Sequence, residues 1–346
     1  MIWRRSKLAI MLKKFVSGIL LAGSVFMALS GFAAAATTTD AASTNGSPGQ
    51  GLEISPPVIE LSADPGQTVT ASIRVRNVTK GELIAKGKAD DFGAGKDESG
   101  LPKLLLDETG ATRFSLKYWV QSVPDLRLAP QELKTNVIKI SVPANAEPGG
   151  HFGVIRFTAV PPNLEGTGVA LSASVGALVL LKVSGTITEK VSLAELSTSQ
   201  TTKDKAGRPV AKKTNFFEHG PVDFLVRVRN EGSVHEKVQG SIEIKNWFGK
   251  KIASVAVNEK GGNVLPDSIR RFEQTLGEKR LFGHYTAKLS LTYSSGKTLS
   301  GATGFWVIPW KLILLVLVGV IVVGWLLKKG LARYNEHIIA QARRRR

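Results

Sequence analysis

The chain has 346 residues, of which 46 are lysine or arginine and 28 are aspartate or glutamate, so its formal net charge is +18. This length accommodates two domains of ordinary size. Much of the positive charge lies at the two ends, and the middle keeps only about six more basic than acidic residues. Because nucleic-acid binding needs a basic patch on a folded domain, no nucleic-acid partner is predicted. The absence of cysteine excludes disulfides, thiolate metal sites and thiol nucleophiles.

The amino-terminal end has the pattern of a secretory signal peptide. A basic region, Met1 to Lys14, precedes an apolar stretch from Phe15 to Phe32, and small residues follow at Ala33 to Ala36. This order predicts a signal peptide over residues 1–36 that is cleaved near its last alanines. An uncleaved anchor is the alternative. Residues 37–51 are small and polar, so we predict a flexible linker there.

The carboxyl-terminal end is predicted to cross a membrane. Leu312 to Leu327 is an uncharged apolar run, and with the aromatic residues before it the run reaches the roughly 20 residues that span a bilayer. Trp310 and Trp325 lie near its margins, where indole rings prefer the headgroup level. We therefore predict a transmembrane helix over 305–327, in contact with the lipid bilayer. Because basic residues follow it, residues 328–346 are predicted to be a cytoplasmic tail, which leaves the domains extracellular.

The residues between the two ends have the pattern of β-strands. In one segment Val69, Ala71, Ile73 and Val75 alternate with polar residues, which is the period of a strand with one buried face. A proline-rich stretch and the turn Asp64-Pro-Gly precede this segment. The combination is typical of the first hairpin of an immunoglobulin-like sandwich.

Two short stretches recur in the same order in the two halves of this region. The recurrences are Ile73-Arg-Val-Arg-Asn77 with Val226-Arg-Val-Arg-Asn230, and Gly150-His-Phe152 with Gly283-His-Tyr285. Repetition in one order predicts two variants of a single sandwich. The predicted fold class is therefore all-β, with two immunoglobulin-like β-sandwich domains over 52–190 and 215–304.

Three segments have a composition unlike that of these strands. Residues 86–118 show little alternation and contain several glycines and charges, so we predict a surface insertion in the first sandwich. Residues 191–214 are rich in serine, threonine and lysine and are predicted to form the linker between the domains. Val169 to Ile187 is very apolar, but its β-branched residues favour a pair of core strands over a second membrane helix.

Six motifs follow one another along the mature chain: Ile54-Ser-Pro-Pro-Val-Ile-Glu-Leu61, Trp119-Val-Gln121, Val142 to Phe152, Val226 to Gly232, Val264 to Arg270 and Phe282-Gly-His-Tyr285. In this order the chain resembles the WxL-interacting proteins of Gram-positive cell surfaces. The resemblance implies that the first domain binds peptidoglycan or another anionic wall polymer and that the second binds a surface or host protein partner. The insertion at 86–118 departs from the compact pattern expected of that family.

Residues typical of catalysis are present, but not in a known arrangement. The histidines lack the spacing of a helical metal pair, and no Gly-x-Ser-x-Gly elbow occurs. We predict no catalytic residue, no metal site and no cofactor, and hence no enzyme; an enzyme with an unfamiliar site is an alternative. Asp90, Asp91, Asp97 and Glu98 are an alternative calcium cluster, although the order of an EF-hand is missing.

Aromatic residues at turns are the candidate contact residues. Tyr118 and Trp119 close the predicted insertion, and Trp247 and Phe248 lie in a tight turn between two alternating strands. Sugars and partner proteins are commonly held against such rings. The alternative for Trp119 is a place in the sandwich core, which is usual in this architecture.

These patterns together predict a membrane-anchored extracellular binding protein of a Gram-positive-type cell surface. It is expected to contact peptidoglycan and a surface or host protein. The alternative is a structural or assembly subunit of an envelope complex, whose sandwiches pair by strand addition and bind no wall.

Overall fold

The computed structural model describes residues 51–106, 110–160, 174–278, 280–294 and 296–343, without the side chains of 209, 336–338 and 340–343. The predicted signal peptide and, except for Gly51, the predicted linker after it lie outside the described residues. Within the described residues the chain is mostly β-structure, followed by one long helix, as the sequence predicts.

The first sandwich has two sheets with an apolar core between them. Its strands are β1 (Leu52–Ser55), β2 (Val58–Ala63), β3 (Thr68–Asn77), β4 (Leu83–Ala94), β5 (Pro102–Leu105), β6 (Leu126–Leu128), β7 (Leu133–Ser141), β8 (Gly149–Val160) and β9 (Ser174–Val183). One sheet has the order β1-β3-β7 and the other β2-β9-β8-β4-β5, with β6 paired to β4. Ala71, Ile73 and Val75 of β3 are buried and the polar residues between them are exposed, which confirms the alternation. In Val169 to Ile187 the described part contains one core strand, β9, instead of the expected pair.

The second sandwich begins only seven residues after β9. Its strands are β10 (Val191–Lys203), β11 (Pro209–Lys213), β12 (Phe216–Phe217), β13 (Val222–Asn230), β14 (Glu236–Lys237), β15 (Gln239–Asn246), β16 (Lys251–Val257), β17 (Asn263–Val264), β18 (Ser268–Leu276), β19 (Gly283–Tyr293) and β20 (Lys297–Val307). The sheets have the orders β11-β10-β13-β18 and β12-β20-β19-β15-β16, and β14 pairs with β17. Phe217, Phe224 and Phe305 fill the centre of the core with edge-to-face ring contacts.

The two sandwiches share one topology. The order β1-β3-β7 in the first corresponds to β10-β13-β18 in the second, and β2-β9-β8-β4-β5 corresponds to β12-β20-β19-β15-β16. In each sandwich an early strand pairs in parallel with the last one, β2 with β9 and β12 with β20. This match agrees with the two recurrences in the sequence, since the paired motifs fall on the equivalent strands β3 and β13, and β8 and β19.

The first recurrent motif ends in each sandwich at a fully buried asparagine that holds the next turn. The Nδ2 of Asn77 and of Asn230 donates to the carbonyl oxygen four residues further on, at 2.7 Å in both cases. The Oδ1 of each accepts the backbone N–H two residues further on. An asparagine side chain therefore provides hydrogen-bond partners for backbone N–H and C=O groups where each strand ends, which explains why the motif recurs with this residue.

Residues 191–214 were predicted to be a linker, and this prediction is wrong. They form β10, which pairs with β13, and the hairpin of β10 with β11. The polar composition misled the prediction because much of this hairpin is exposed, while threonine itself favours strands. The first sandwich thus ends at Val183 and the second begins at Val191.

Residues 86–118 were predicted to be a surface insertion, but their first half belongs to the sheet as β4 and β5. The apolar alternation of β4 fails at Asp90 and Asp91, which are buried. Asp90 accepts from the guanidinium of Arg156 at 3.0 Å, and Asp91 accepts from two backbone amides. Because paired polar groups occupy these two buried positions, which lie on opposite faces of the strand, a hydrophobic pattern was not visible.

A single long helix, α1 (Trp310–Arg343), follows β20. Its segment Trp310–Asn335 contains an 18-residue window with a mean hydropathy of 2.6 and is long and apolar enough to cross a membrane. The predicted span, 305–327, begins too early, because Phe305 and Val307 are buried in the second sandwich as the end of β20. The residues predicted to be a separate tail continue the helix as far as Arg343.

Candidate functional site

A cleft of about 370 Å³ lies where the two sandwiches meet. Strands β2, β4 and β9 line it from the first sandwich, and β17 and β18 line it from the second. Phe92, Leu178 and Leu180 give the first wall an apolar surface, and Val264 and Leu265 face them from the second. Clefts of this size at domain interfaces are common places for ligands to bind.

The apolar part of the cleft belongs to a hydrophobic cluster distinct from both sandwich cores. Phe92, Phe152, Val154 and Leu180 of the first sandwich are buried together, and Leu265 of the second packs against them. The Phe152 ring lies 5.9 Å from that of Phe92. The cluster therefore joins the two sandwiches and forms an apolar base for the cleft.

Arg270 on β18 places a cation in the cleft without a counter-ion. Its Nη1 donates to the carbonyl oxygen of Asn263 at 2.7 Å, while its buried Nε has no partner. Across the part of the chain that the structure describes, no aspartate or glutamate forms an ion pair with this guanidinium. Burial lowers the pKa of Arg270, because the charged form loses solvation that no carboxylate replaces.

Two glycines make room for this guanidinium. Gly100, from the loop between β4 and β5, has φ +76°, and a Cβ there would lie 2.3 Å from the Nε of Arg270. A Cβ at Gly262, in the loop before β17, would lie 2.4 Å from its Nη2. Arg270 is therefore held between backbone segments of both sandwiches, and a side chain at either glycine would displace it.

Glu60 on β2 is the acidic residue of the cleft, and its oxygens are already occupied. It accepts from the Nδ2 of Asn263 at 2.9 Å and pairs with the Nζ of Lys237 at 3.0 Å. The hydrogen bond from Asn263, followed by the contact with Lys237, holds the pKa of Glu60 below its ordinary value. Its charge is thus neutralised by Lys237 and is not shared with Arg270.

Buried side-chain polar atoms without a hydrogen-bond partner are concentrated at this junction. Within the described ranges there are three, and all belong to the second sandwich: Nδ1 of His235, Oδ1 of Asn263 and Nε of Arg270. The His235 ring meets that of Phe152 edge-on, and burial lowers the pKa of His235. Because buried polar groups are normally paired, these three atoms leave hydrogen-bonding capacity unused at the junction.

The cleft walls are fixed by polar contacts between the sandwiches. Glu98, in the loop before β5, accepts from the Nε of Arg227 at 2.7 Å, and its carbonyl oxygen accepts from the amide of Arg271. Arg113 pairs with Asp267 at 2.7 Å. These contacts flank the cleft, so its two walls keep a defined separation.

The aromatic residues predicted as contact sites do not line the cleft. Tyr118 is 56% exposed, whereas Trp119 is half-buried against the first core, with its ring 4.1 Å from that of the buried His151. Trp119 thus packs against the first core without being fully buried in it. Trp247 and Phe248 are exposed in the turn between β15 and β16. The structure keeps the two aromatic pairs on different sandwiches and does not bring them together.

The acidic residues considered for calcium are engaged elsewhere. Asp90 and Asp91 are buried on opposite faces of β4 and hydrogen-bonded there, Asp97 accepts from the amide of Ser99, and Glu98 binds Arg227. No group of three or more histidine, aspartate or glutamate residues is placed to hold a metal ion in the described part of the chain.

Sequence reasoning missed the cleft residues, because they come from strands far apart in the chain. Glu60 and Arg270 are separated by more than two hundred residues, and neither belongs to a known motif for a site. One available signal was the pair Gly261-Gly262 ahead of β17, which marks a place where the backbone is approached closely.

The strand order defines the class of protein: a tandem of two immunoglobulin-like β-sandwiches followed by one long apolar helix.

Among solved structures, the chain is similar to a chain of the chaperone–tip adhesin complex of CFA/I fimbriae biogenesis, at 12% identity and a TM-score of 0.37, covering 73% of this chain and 98% of that one. It is also similar to the class 5 fimbriae chaperone CfaA, at 14% identity and a TM-score of 0.36, with coverage of 73% and 98%. A third similar structure is the chaperone DraB of E. coli, at 12% identity and a TM-score of 0.33, covering 74% of this chain and 94% of that one. These similarities concern the fold alone. No protein-family model and no curated protein matches the chain.

Proposed function

We propose that this protein is a membrane-anchored, extracellular binding protein whose cleft holds an extended segment of a partner protein. In this proposal a carboxylate of the partner lies against Arg270, and apolar side chains of the partner lie on the wall formed by Phe92, Leu178 and Leu180. The role is binding without catalysis.

The observation that carries the proposal is the unpaired guanidinium of Arg270 beside an apolar wall. A guanidinium has five N–H donors, and its planar arrangement matches the oxygens of a carboxylate. Placing an acidic group there would compensate a charge that burial has left without a counter-ion. Glu60 cannot do so while Asn263 and Lys237 occupy it. The partner segment is therefore expected to combine an acidic group with neighbouring apolar residues.

The anchoring part of the proposal rests on α1. Its apolar segment Trp310–Asn335 has 26 residues, and at the rise of an α-helix this is about 39 Å, more than the roughly 30 Å of a bilayer core. Lys328, Lys329 and Arg333 follow the most apolar part. Because basic residues stay on the cytoplasmic side, we propose that both sandwiches lie outside the cell.

Peptidoglycan binding by the first sandwich, which the family resemblance implies, remains a separate proposal with no residue assigned to it. It is tested by incubating the detergent-solubilised protein with insoluble cell wall. Recovery in the pellet above that of an unrelated basic protein would support it, and equal recovery would reject it.

The cleft proposal is tested with peptides presented to the full-length protein in lipid nanodiscs. A pool of apolar peptides, each with one glutamate, is compared with the same pool carrying glutamine. The wild type should bind the glutamate pool more tightly, and Arg270→Gln should lose about 10-fold to 100-fold in affinity for that pool, as expected for a hydrogen bond to a charged group.

The matched control is Arg271→Gln, which removes the same charge from the next residue of β18. Arg271 does not line the cleft, so this variant should bind like the wild type. Equal affinity for the two pools, or equal losses in the two variants, would contradict the proposal.

A further inference from the structure

Exposed aromatic side chains gather at one end of the second sandwich, which is also the end where α1 begins. The strand register establishes this: Asn246 on β15 lies opposite Tyr285 on β19, which lies opposite Phe305 on β20. The turn after Asn246 and the residues after Phe305 therefore project from the same end of the sheet. Two strand spacings, about 10 Å, separate them. We call this surface the aromatic end; it comprises Phe216, Trp247, Phe248, Phe282, Trp306 and Trp310.

Three rings of the aromatic end are among the most exposed large side chains of the sandwich. Trp247 is 69%, Phe248 81% and Phe282 70% exposed. The turn that carries the first two is well defined, since the Oδ1 of Asn246 accepts from the amides of Phe248 and Lys250. Fixed exposure of several large rings is costly in water, so an occupant is expected to cover them.

The remaining rings continue this surface toward α1. β12 pairs in parallel with the end of β20, which places Phe216 beside Trp306, and both side chains are nearly half exposed. Trp306 contacts the ring of His284, and Trp310 is the first residue of α1. The aromatic surface is therefore continuous in the chain with the apolar helix.

The junction between β20 and α1 is held by hydrogen bonds and an ion pair. The amide of Ile308 donates to the carbonyl oxygen of Phe217 at 2.8 Å, and the Nζ of Lys311 pairs with Glu218 at 2.7 Å. Only Ile308 and Pro309 separate the strand from the helix. The start of α1 is therefore tied to the sandwich, and the aromatic end stays close to it.

We propose that the aromatic end rests in the headgroup region of the bilayer that α1 crosses. Tryptophan and other aromatic rings are favoured at this depth, where one part of the ring is in an apolar layer and the other is hydrated. Lys250 and Arg280 add positive charge suited to anionic headgroups. Glu218 is neutralised by Lys311, and Glu278 forms no ion pair with any of the residues that the structure describes.

A bilayer is the favoured occupant because the same chain brings it there. If α1 spans the membrane from Trp310, the lipid surface lies at the end of the sandwich from which these rings project. A protein partner would have to displace that surface. The inference rests on the proposed anchoring, and it adds that the second sandwich lies directly on the lipid instead of standing away from it.

The absence of cysteine makes the test direct, since one introduced cysteine carries one spin label. The full-length protein is reconstituted in vesicles with anionic lipid, with the label at Lys250→Cys, which leaves both rings of the turn in place. Collision rates with oxygen, which concentrates in lipid, and with a water-soluble nickel chelate report the depth of the label. Labels at Tyr118→Cys and Leu317→Cys give the references for water and for the middle of the apolar helix.

The label at position 250 should show a ratio of oxygen to nickel collisions several-fold above that at 118 and below that at 317. Adding Trp247→Ser and Phe248→Ser should return it to the value at 118. The matched control, Tyr118→Ser with Val137→Ser, removes two similarly exposed apolar side chains from the first sandwich and should change nothing.

The outcomes separate this inference from the proposed anchoring. A label at 250 that behaves like 118, while 317 reports bilayer depth, would overturn the inference and keep the anchor. A label at 317 that reports water would overturn both. A label at 250 shielded from both collision partners would indicate a protein contact and also reject the lipid assignment.

Discussion

Asn230 shows how one side chain supports several backbone groups. It is fully buried, donates to the carbonyl oxygens of Val234 and Val264, and accepts the amide of Gly232. Asn77 plays the equivalent part in the first sandwich. A side chain of this kind contributes to stability mainly because its removal would leave buried backbone groups unpaired.

Replacing Asn230 with alanine should therefore lower the free energy of unfolding by about 3 kcal/mol, since three backbone groups lose their partner. Thermal unfolding followed by tryptophan fluorescence measures the change. Asn215→Ala serves as the control, because Asn215 is exposed in the same sandwich. Similar losses in the two variants would show that the buried hydrogen bonds of Asn230 do not have this role.

At the scale of the strand, the pairing of β15 with β19 depends on a glycine. A Cβ on Gly240 would lie 2.0 Å from the carbonyl oxygen of Ser290 and 2.9 Å from the Cα of Leu291. Both are backbone atoms of the paired strand, so the clash cannot be relieved by turning a side chain. The sheet would have to shift as a whole at this point.

Gly240→Ala is accordingly expected to destabilise the second sandwich by about 1–3 kcal/mol, the usual effect of overpacking. Gly277→Ala is the matched substitution, because nothing lies within 4 Å of the Cβ it would add. Urea unfolding of both variants should separate them clearly. A neutral Gly240→Ala would mean that the two strands can move apart without cost.

The strand β3 was predicted from the sequence because the side chains that it buries in the core are apolar. Ala71, Ile73 and Val75 alternate with exposed polar residues, so their burial is visible in the residue types. β4 was missed because Asp90 and Asp91 are buried through hydrogen bonds, and β10 because its exposed threonine-rich end resembles a linker. Periodicity reports burial only when the buried groups are apolar.

At the scale of the whole molecule, an ionic network ties the two sandwiches together. Arg227 on β13 pairs with Glu98 of the first sandwich and with Glu195 on β10. The hydrogen bond from Arg227 lowers the pKa of Glu98. Hydrogen bonds from Lys213, then Ser197, then Arg227 lower the pKa of Glu195 from 4.5 to about 2.

A carboxyl whose pKa is lower in the folded state stabilises that state when ionised. Its contribution is complete above the unfolded pKa of 4.5 and disappears as the pH falls toward about 2. The free energy of unfolding should therefore decrease across this window. Arg227→Gln should make the decrease smaller and also lower stability at neutral pH.

Denaturant titrations at several pH values between 2 and 7 test this expectation. Arg74→Gln, on β3 of the first sandwich, removes an exposed charge that has no ion pair among the described residues. It should keep the pH dependence of the wild type. An unchanged slope in Arg227→Gln would argue against the network as its source.

The cleft was beyond sequence reasoning because it exists only after both sandwiches have docked. Arg270 belongs to an alternating strand in which a charged residue normally faces water. Arg270 differs from such a residue in two ways: Gly100 of the other sandwich approaches it closely, and it has no acidic partner among the described residues. Neither property can be seen in the sequence around position 270. The two-sandwich class and the apolar helix, by contrast, depend on local patterns and were predictable.

The last strand of the second sandwich has a mechanical consequence. β20 pairs with β19 along its full length of 11 residues and leads into α1 almost directly. A pulling force between the helix and a partner bound as proposed by the sandwiches would act along the axis of β20. Its cross-strand hydrogen bonds would then be loaded together, in shear, instead of being unzipped one after another. Loaded in this way, β20 would resist being pulled out of its sheet.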